Sequence, residues 1–494
     1  MGQRTVVACG TFSLDALMTP PHASLAAILS LALGGAVLSG GAAGATAAPD
    51  PTEPAFRALY KELVETNTTL SAGSCTLAAE RMAARLTEAG FPAADIHLFS
   101  TPDHAREGGL VAVLHGRDPK ARAILLLAHI DVVEAKRADW TRDPFALIEE
   151  NGYFYGRGTS DDKAMAASFT DAMVRYRKEG FHPRRDIKLA LTCGEETGGA
   201  FNGANWLVTQ HKDWIDAEFA LNEGAGGLLD ANDKHVYLGV QAGEKVYQDF
   251  RLETTNPGGH SSRPVPDNAI YHLAAALTRL SAYDFPMQMS DTTRAYFSRT
   301  GALIGGESGA AMIALARDPT DKAAEAIVSR DPSWHSMLRT TCVATMLDGG
   351  HATNALPQRA GANVNCRIFP GVSVDSVRAT LTSVIADPKV TVTPSGELSP
   401  TPPPPPLSPA VLGPAERVAH DMWPGVPVIP AMSTGATDGR YLNAGGIPTY
   451  GLSGMFSEPS RSGVHGLNER IGVQALLDGR TYLYRVVKLY AEAK

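Results

Sequence analysis

The sequence predicts an α/β protein with a second, smaller α+β domain inserted into the first. Three observations point that way. Between about residues 75 and 225, apolar runs of strand length alternate with stretches of helical spacing, the order of a largely parallel sheet. From 244 to 395 the order becomes strand, helix, strand, strand, helix, strand, the split arrangement of a ferredoxin-like domain. The proline run "SPTPPPPPLSP", Ser399 to Pro409, then leads back to the first domain as a stiff connector. The expected divisions are a leader over 1–48, the first domain over 49–243, the insert over 244–395 and the rest of the first domain over 396–494.

The elements follow in chain order. From Leu17 to Ala48 there is no Asp, Glu, Lys or Arg, and an apolar core passes into small residues ending Ala45-Thr46-Ala47. This reads as a secretory leader cleaved near Ala47. The stretch is long enough to span a membrane, but its Gly- and Ala-rich second half argues for a leader, and Met18 is an alternative start. The expectation is an exported protein, periplasmic or secreted. "CTLAAERMAARLTEAGF" is a helix closed by Gly90, and "GGLVAVLHG" and "AILLLAHIDVV" are strands. "DDKAMAASFTDAMVRYRKEGF" places Met165, Phe169 and Met173 at steps of four, on one helical face. "DIKLALTCGEETGG" and "AEFALNEGAGG" are further strands. In the insert, "KVYQDFRLETTN", "TTCVATMLDGG", "RAGANVNCRIF" and "KVTVTP" are strands, while "PDNAIYHLAAALTRLSAY" and "SVDSVRATLTSVIAD" are helices. Met287 to Ser336 is poorly patterned, helical only around "KAAEAIVS".

At 494 residues the chain is long enough for several domains, and 44 basic against 52 acidic residues give a net charge of −8 with no long run of either sign. A nucleic-acid surface is excluded as an expectation. Cys9 falls in the leader; Cys75, Cys193, Cys342 and Cys366 remain, and an exported compartment permits disulfides. Cys342 and Cys366, in neighbouring strand-like segments, are the candidate pair.

Three apolar strands end in ionisable residues: His129 and Asp131, then Glu195 and Glu196, then Glu223. In open α/β sheets the ligand crevice lies outside the carboxyl ends of the strands, so five such groups converge there. Residues i and i+2 face the same way, which sets Asp131 behind His129 as the carboxylate partner of a metal-binding imidazole. "GRGTSDDK" follows, and either Asp161 or Asp162 suits the N-terminus of the next helix. Glu195 and Glu196 point in different directions, so one can bind a metal while the other moves protons. Several acids at one crevice repel unless cations neutralise them.

"AHIDVV", "GRGTSDDK", "CGEETGG", "LNEG", "NPGGHSSRP", "GGHATNALPQ", "TDGR" and "VHGLNERI" stand in the order found in the co-catalytic zinc exopeptidases that include aminoacylase, carboxypeptidase S and succinyl-diaminopimelate desuccinylase, and the sequence resembles that family from about Pro51 to Lys494. The resemblance implies a zinc-exopeptidase-like α/β/α catalytic domain with an inserted ferredoxin-like α+β lid that also forms a homodimer interface. It implies two Zn²⁺ per chain, other divalent metals being possible, held by His129, Asp161 as bridge, Glu196, Glu223 and His465. Glu195 is then the general base, Asp131 the support of His129, and His260 the lid histidine that contacts the reacting carbonyl. Asn354, Arg367 and Arg440 fall in substrate-binding stretches, with Arg440 suited to grip a carboxylate as a bidentate fork. Segment 287–336 departs from the family pattern and enlarges the lid.

The implied reaction is hydrolysis of an amide near a free carboxylate by metal-activated water. Small peptides, in a carboxypeptidase or dipeptidase reaction, are the first expectation and N-acyl amino acids the second. A non-catalytic zinc-binding protein is the rival from another class, and a free Glu195 beside the metal speaks against it.

Overall fold

The computed structural model describes residues 50–197, 201–458 and 462–493. The leader, its cleavage near Ala47 and Cys9 lie outside the described residues. No described helix is long and apolar enough to cross a membrane.

A mixed sheet of ten strands positions the site. At its centre Ile187–Thr192, Ile124–His129 and Phe219–Asn222 lie side by side and parallel, and Thr449–Gly451 continues the parallel set. Ile124–His129 is buried along its whole length, which requires cover on both faces of the sheet. Leu126, Leu189 and Leu221 pack on one face against Ala78, Met82, Phe169, Met173 and Val486 of the helices Cys75–Glu88, Lys163–Lys178 and Val473–Glu492. Leu125, Leu127 and Ala190 pack on the other, against Ala204 and Leu207 of Gly203–Gln210. Alternate residues of one strand thus feed two cores, the α/β/α arrangement that the family resemblance implies.

The inserted strands form a separate antiparallel sheet in the order Thr341–Gly349, Arg359–Ile368, Val246–Thr255, Val390–Ser395. Helices Ala269–Ser281 and Val374–Ile385 cover it, burying Leu273, Val377 and Leu381 against Phe250, Val364 and Ile368. This is the ferredoxin-like order.

Segment 287–336 is far more helical than its pattern suggests, forming Asp291–Ile304, Gly306–Arg317, Lys322–Val328 and Pro332–Met337. Gly306–Arg317 is rich in Gly and Ala, and Lys322–Val328 and Pro332–Met337 are short, so their apolar faces are faint in sequence. They close a core of Phe297, Met312, Leu315 and Val328 with Phe369 and with Met432, a residue of the large sheet. Thr292 donates to the carbonyl of Ala242 and Arg299 to that of Val428, so the segment also seats on the large sheet's edge.

Two disulfides are present among the described residues. Cys342, the candidate partner of Cys366, pairs with it directly opposite on adjacent strands. Cys75 also pairs with Cys193, 118 residues away, a link with no sequence signal. It ties the start of helix Cys75–Glu88 to the chain two residues before Glu195. Closing a loop of this length stabilises the fold by roughly 4–5 kcal/mol on the chain-entropy account.

Candidate metal centre

The ends of the parallel strands bring the acids together. His129 is buried, and its Nδ1 lies 3.1 Å from the backbone carbonyl of Asp131 and 3.5 Å from its Oδ1. A carbonyl only accepts, so Nδ1 carries a proton and Nε2 faces the crevice. Asp131 does more than the i, i+2 argument anticipates: its carboxylate accepts from the backbone N–H of Glu196 at 3.1 Å and of Glu195 at 3.4 Å, holding the acid pair beside the histidine. Gly194 makes the turn into that pair with φ +94°, where a Cβ would lie 1.8 Å from the carbonyl oxygen of Phe201.

Asp161 sits between two imidazoles. Its Oδ1 is 3.0 Å from Nε2 of His129 and its Oδ2 3.1 Å from Nε2 of His465. Glu223 lies 3.8 Å from Nε2 of His129, and Glu196 2.9 Å from Nε2 of His465. Two ligand groups result, His129–Asp161–Glu223 and Asp161–Glu196–His465, sharing Asp161, each with its donor atoms within 4.8 Å of one another. A third grouping, His129–Glu195–Glu196, is equally compact. Asp162 is the buried neighbour, and one of its oxygens has no hydrogen-bond partner.

The electrostatics suit a bound cation. Burial pushes Glu195 and Glu223 well above the usual carboxylate range, and the surrounding acids add to it: Asp438, Glu196 and Asp131 around Glu195, Asp161 and Glu195 around Glu223. Burial works against a charged His129, but Glu223, Asp131 and Asp161 outweigh it and raise its pKa. His465 is pushed up to about 10 by its hydrogen bonds with Asp161 and Glu196. A crowd of buried acids around two imidazoles, with an orphaned oxygen on Asp162, fits divalent metal, and the nitrogen and carboxylate donors are those zinc takes.

Two further acids hold this site; they lie within "TDGR" and "VHGLNERI", but the sequence assigns neither a role. Asp438 is buried and accepts from Asn202 at 2.6 Å and from Thr192 at 3.3 Å. Glu469 is buried against the loop that carries Asp161; its ion pair with Arg157, at 2.8 Å, is almost fully enclosed. Removing one partner of such a pair typically costs about 3–5 kcal/mol.

The substrate-side residues fall into two pairs. Arg440 is half-buried, stacks on Tyr441 at 4.6 Å and forms no ion pair with a carboxylate among the described residues, while Glu195 and Asp438 lie within electrostatic range. Arg367 stacks on Tyr247 at 4.7 Å, and burial together with Arg440 lowers its pKa. Asn354 and His260 are exposed and flank a short ladder, in which His260 pairs with Ala355 and Ser261 donates to the carbonyl of Asn354. His260 hydrogen-bonds within its own loop, to Ser262, and none of these bonds reaches the acid cluster.

A cavity of about 610 Å³ opens beside the cluster, lined by Asp161, Asp162 and Glu223. Met165, Leu229, Met455, Phe456 and Ile471 give it apolar wall, and Asp233, His235, Glu458, Arg470, Gln474 and Asp478 line it as well. Neither Arg440 nor Arg367 lines it.

Residues 125–489 match the profile of peptidase family M20/M25/M40. The chain is similar to the N-fatty-acyl-amino acid synthase/hydrolase PM20D1 of Xenopus tropicalis, with 30% identity over 376 residues covering 74% of this chain and 71% of that protein. It is similar to carboxypeptidase S of Saccharomyces cerevisiae, with 29% identity over 311 residues covering 59% and 52% of the two chains. Its fold is similar to an M20 family metallo-carboxypeptidase, Sso-CP2, from Sulfolobus solfataricus, with a TM-score of 0.65 and 18% identity, covering 88% of this chain and 99% of that one.

Proposed function

The chain belongs to peptidase family M20/M25/M40, and we propose that it is an exported di-zinc hydrolase of an amide bond near a free carboxylate. One observation carries the reading: Asp161 turns one oxygen to each of two imidazoles, so two metal positions share it. His129 and Glu223 complete one position, Glu196 and His465 the other. When bound, zinc supplies Lewis acidity, polarising the scissile carbonyl and bringing the pKa of an attacking water toward neutrality. Glu195 takes that water's proton and returns it to the leaving amine, giving a carboxylate and an amine. Its carboxyl is kept basic by burial and by Asp438, Glu196 and Asp131. Arg440, with Arg367 behind it, grips the substrate carboxylate. Two disulfides and the apolar leader support export.

The cavity favours N-acyl amino acids over dipeptides, reversing the order expected from the sequence. Its lining combines metal ligands with apolar side chains and lacks Arg440 and Arg367, which suits it to the acyl side of the amide while Arg440 takes the carboxylate side. The relative named for N-fatty-acyl amino acids is consistent with this. Assays with N-acyl derivatives of one amino acid should show kcat/KM rising about fourfold per methylene, from ~0.8 kcal/mol per buried CH₂, until the cavity is full. Equal rates for acetyl and long-chain substrates, with faster cleavage of dipeptides, would restore the peptidase reading.

The lid supplies the remaining group, and we propose that it does so across a homodimer. Strand Thr341–Gly349 is the outer edge of the four-stranded sheet, and its Met346 and Leu347 are each 70% exposed, an unprotected apolar edge suited to a second copy. His260 then stabilises the oxyanion in the partner's site. Homodimers of His260→Ala and of Glu195→Gln should each be nearly inactive, and after subunit exchange random pairing restores roughly a quarter of wild-type activity. No recovery despite demonstrated exchange would place His260 in its own chain's site.

A further inference from the structure

We propose that Glu469 is a positioning residue that fixes two of the three ligands of the second metal position, Asp161 and His465, as one unit. Its Oε1 accepts from the backbone N–H of Ser160 at 2.8 Å and of Asp161 at 3.1 Å. Its Oε2 accepts from the N–H of Gly158 at 2.9 Å and from Nη1 of Arg157 at 2.8 Å. One carboxylate therefore takes three backbone donors from the loop that ends in Asp161. The same residue's carbonyl accepts from Gly156 at 3.1 Å, fastening the start of that loop as well.

Glu469 stands four residues after His465, and the link runs both ways. Arg157 spends its other terminal nitrogen on the carbonyl of Gly466, at 2.9 Å, next to the histidine. The histidine needs such support: its side chain is 56% exposed and its backbone is left-handed, with φ 58°, so little packing holds it. A buried carboxylate with four short donors has one position available to it. His129, by contrast, is placed by strand Ile124–His129 and by Asp131, neither of which touches Glu469. Glu469 therefore bears on two of the three ligands of the second position, and on the first only through the shared Asp161.

The inference rests on the two-metal reading above, and its test separates the two. Zinc binding to metal-free protein is measured by competition with a chromophoric chelator for wild type and for Glu469→Gln, which keeps the size but turns an amide N–H₂ toward backbone donors. Two zinc ions should bind wild type. In the variant, the second position should weaken about 10–100-fold, the usual effect of losing an outer support, and the first, which shares Asp161 but keeps His129 and Glu223 in place, should weaken less. At saturating zinc kcat should recover with KM unchanged. A merely structural role would instead lower thermal stability and leave both affinities intact, and that result overturns the proposal. If Glu469→Gln does not accumulate as folded protein, Arg157→Lys carries the test: it keeps a charge beside Glu469 and loses the bond to Gly466, so unaltered second-site affinity there also overturns it. Wild-type protein that binds fewer than two zinc ions refutes the two-metal reading itself, and the proposal with it.

Discussion

Replacing Glu195 by Gln lowers kcat by about 10²–10⁴-fold, the usual weight of a general acid–base group, and leaves two zinc ions bound. The amide keeps the shape, and the backbone N–H still meets Asp131, so the fold of the loop is retained. What is lost is the ability to take a proton from water and deliver it to the amine. The neighbouring acid behaves differently. Glu196→Gln removes a group 2.9 Å from Nε2 of His465 and should weaken metal binding at that position. Elemental analysis beside steady-state kinetics distinguishes the two. If Glu195→Gln loses zinc and Glu196→Gln keeps it, the roles are exchanged.

His129→Ala removes metal and activity together. The imidazole is the nitrogen donor at the first position and lies within 3.8 Å of Asp161 and Glu223, so its loss leaves that position with carboxylates alone. Losing only an outer support costs 10–100-fold in metal affinity, and losing the donor itself should cost at least ~100-fold. Circular dichroism should report an intact fold, because an alanine continues the buried strand. Full zinc content in His129→Ala would mean that neither grouping that contains His129 holds a metal and that the ion binds elsewhere.

Much of this centre was legible because a parallel sheet delivers the ends of its strands to one crevice. His129, Glu195, Glu196 and Glu223 follow three apolar runs that the structure places side by side. Asp161 and Asp162 were equivalent as caps of the following helix, and only the loop geometry turns Asp161 toward the two imidazoles. Asp131 was read as a partner of His129, but its carboxylate also holds the backbone of Glu195 and Glu196, a role that alternation along a strand cannot reveal. Glu469 and Asp438 lie within quoted motifs, but they act on backbone amides and side chains more than 200 residues away, and no local pattern shows which remote loop such an acid serves. Cys75–Cys193 is hidden for the same reason, and the helices of segment 287–336 because Gly and Ala leave their buried face without contrast.

Two metal positions sharing one aspartate can be tested by titrating metal-free protein with zinc while following bound metal and amide hydrolysis in the same samples. Two zinc ions should bind per chain, with hydrolysis complete only when both positions are filled, and Asp161→Asn should weaken both. Hydrolysis that is complete with one equivalent, or that survives thorough chelation, would contradict it.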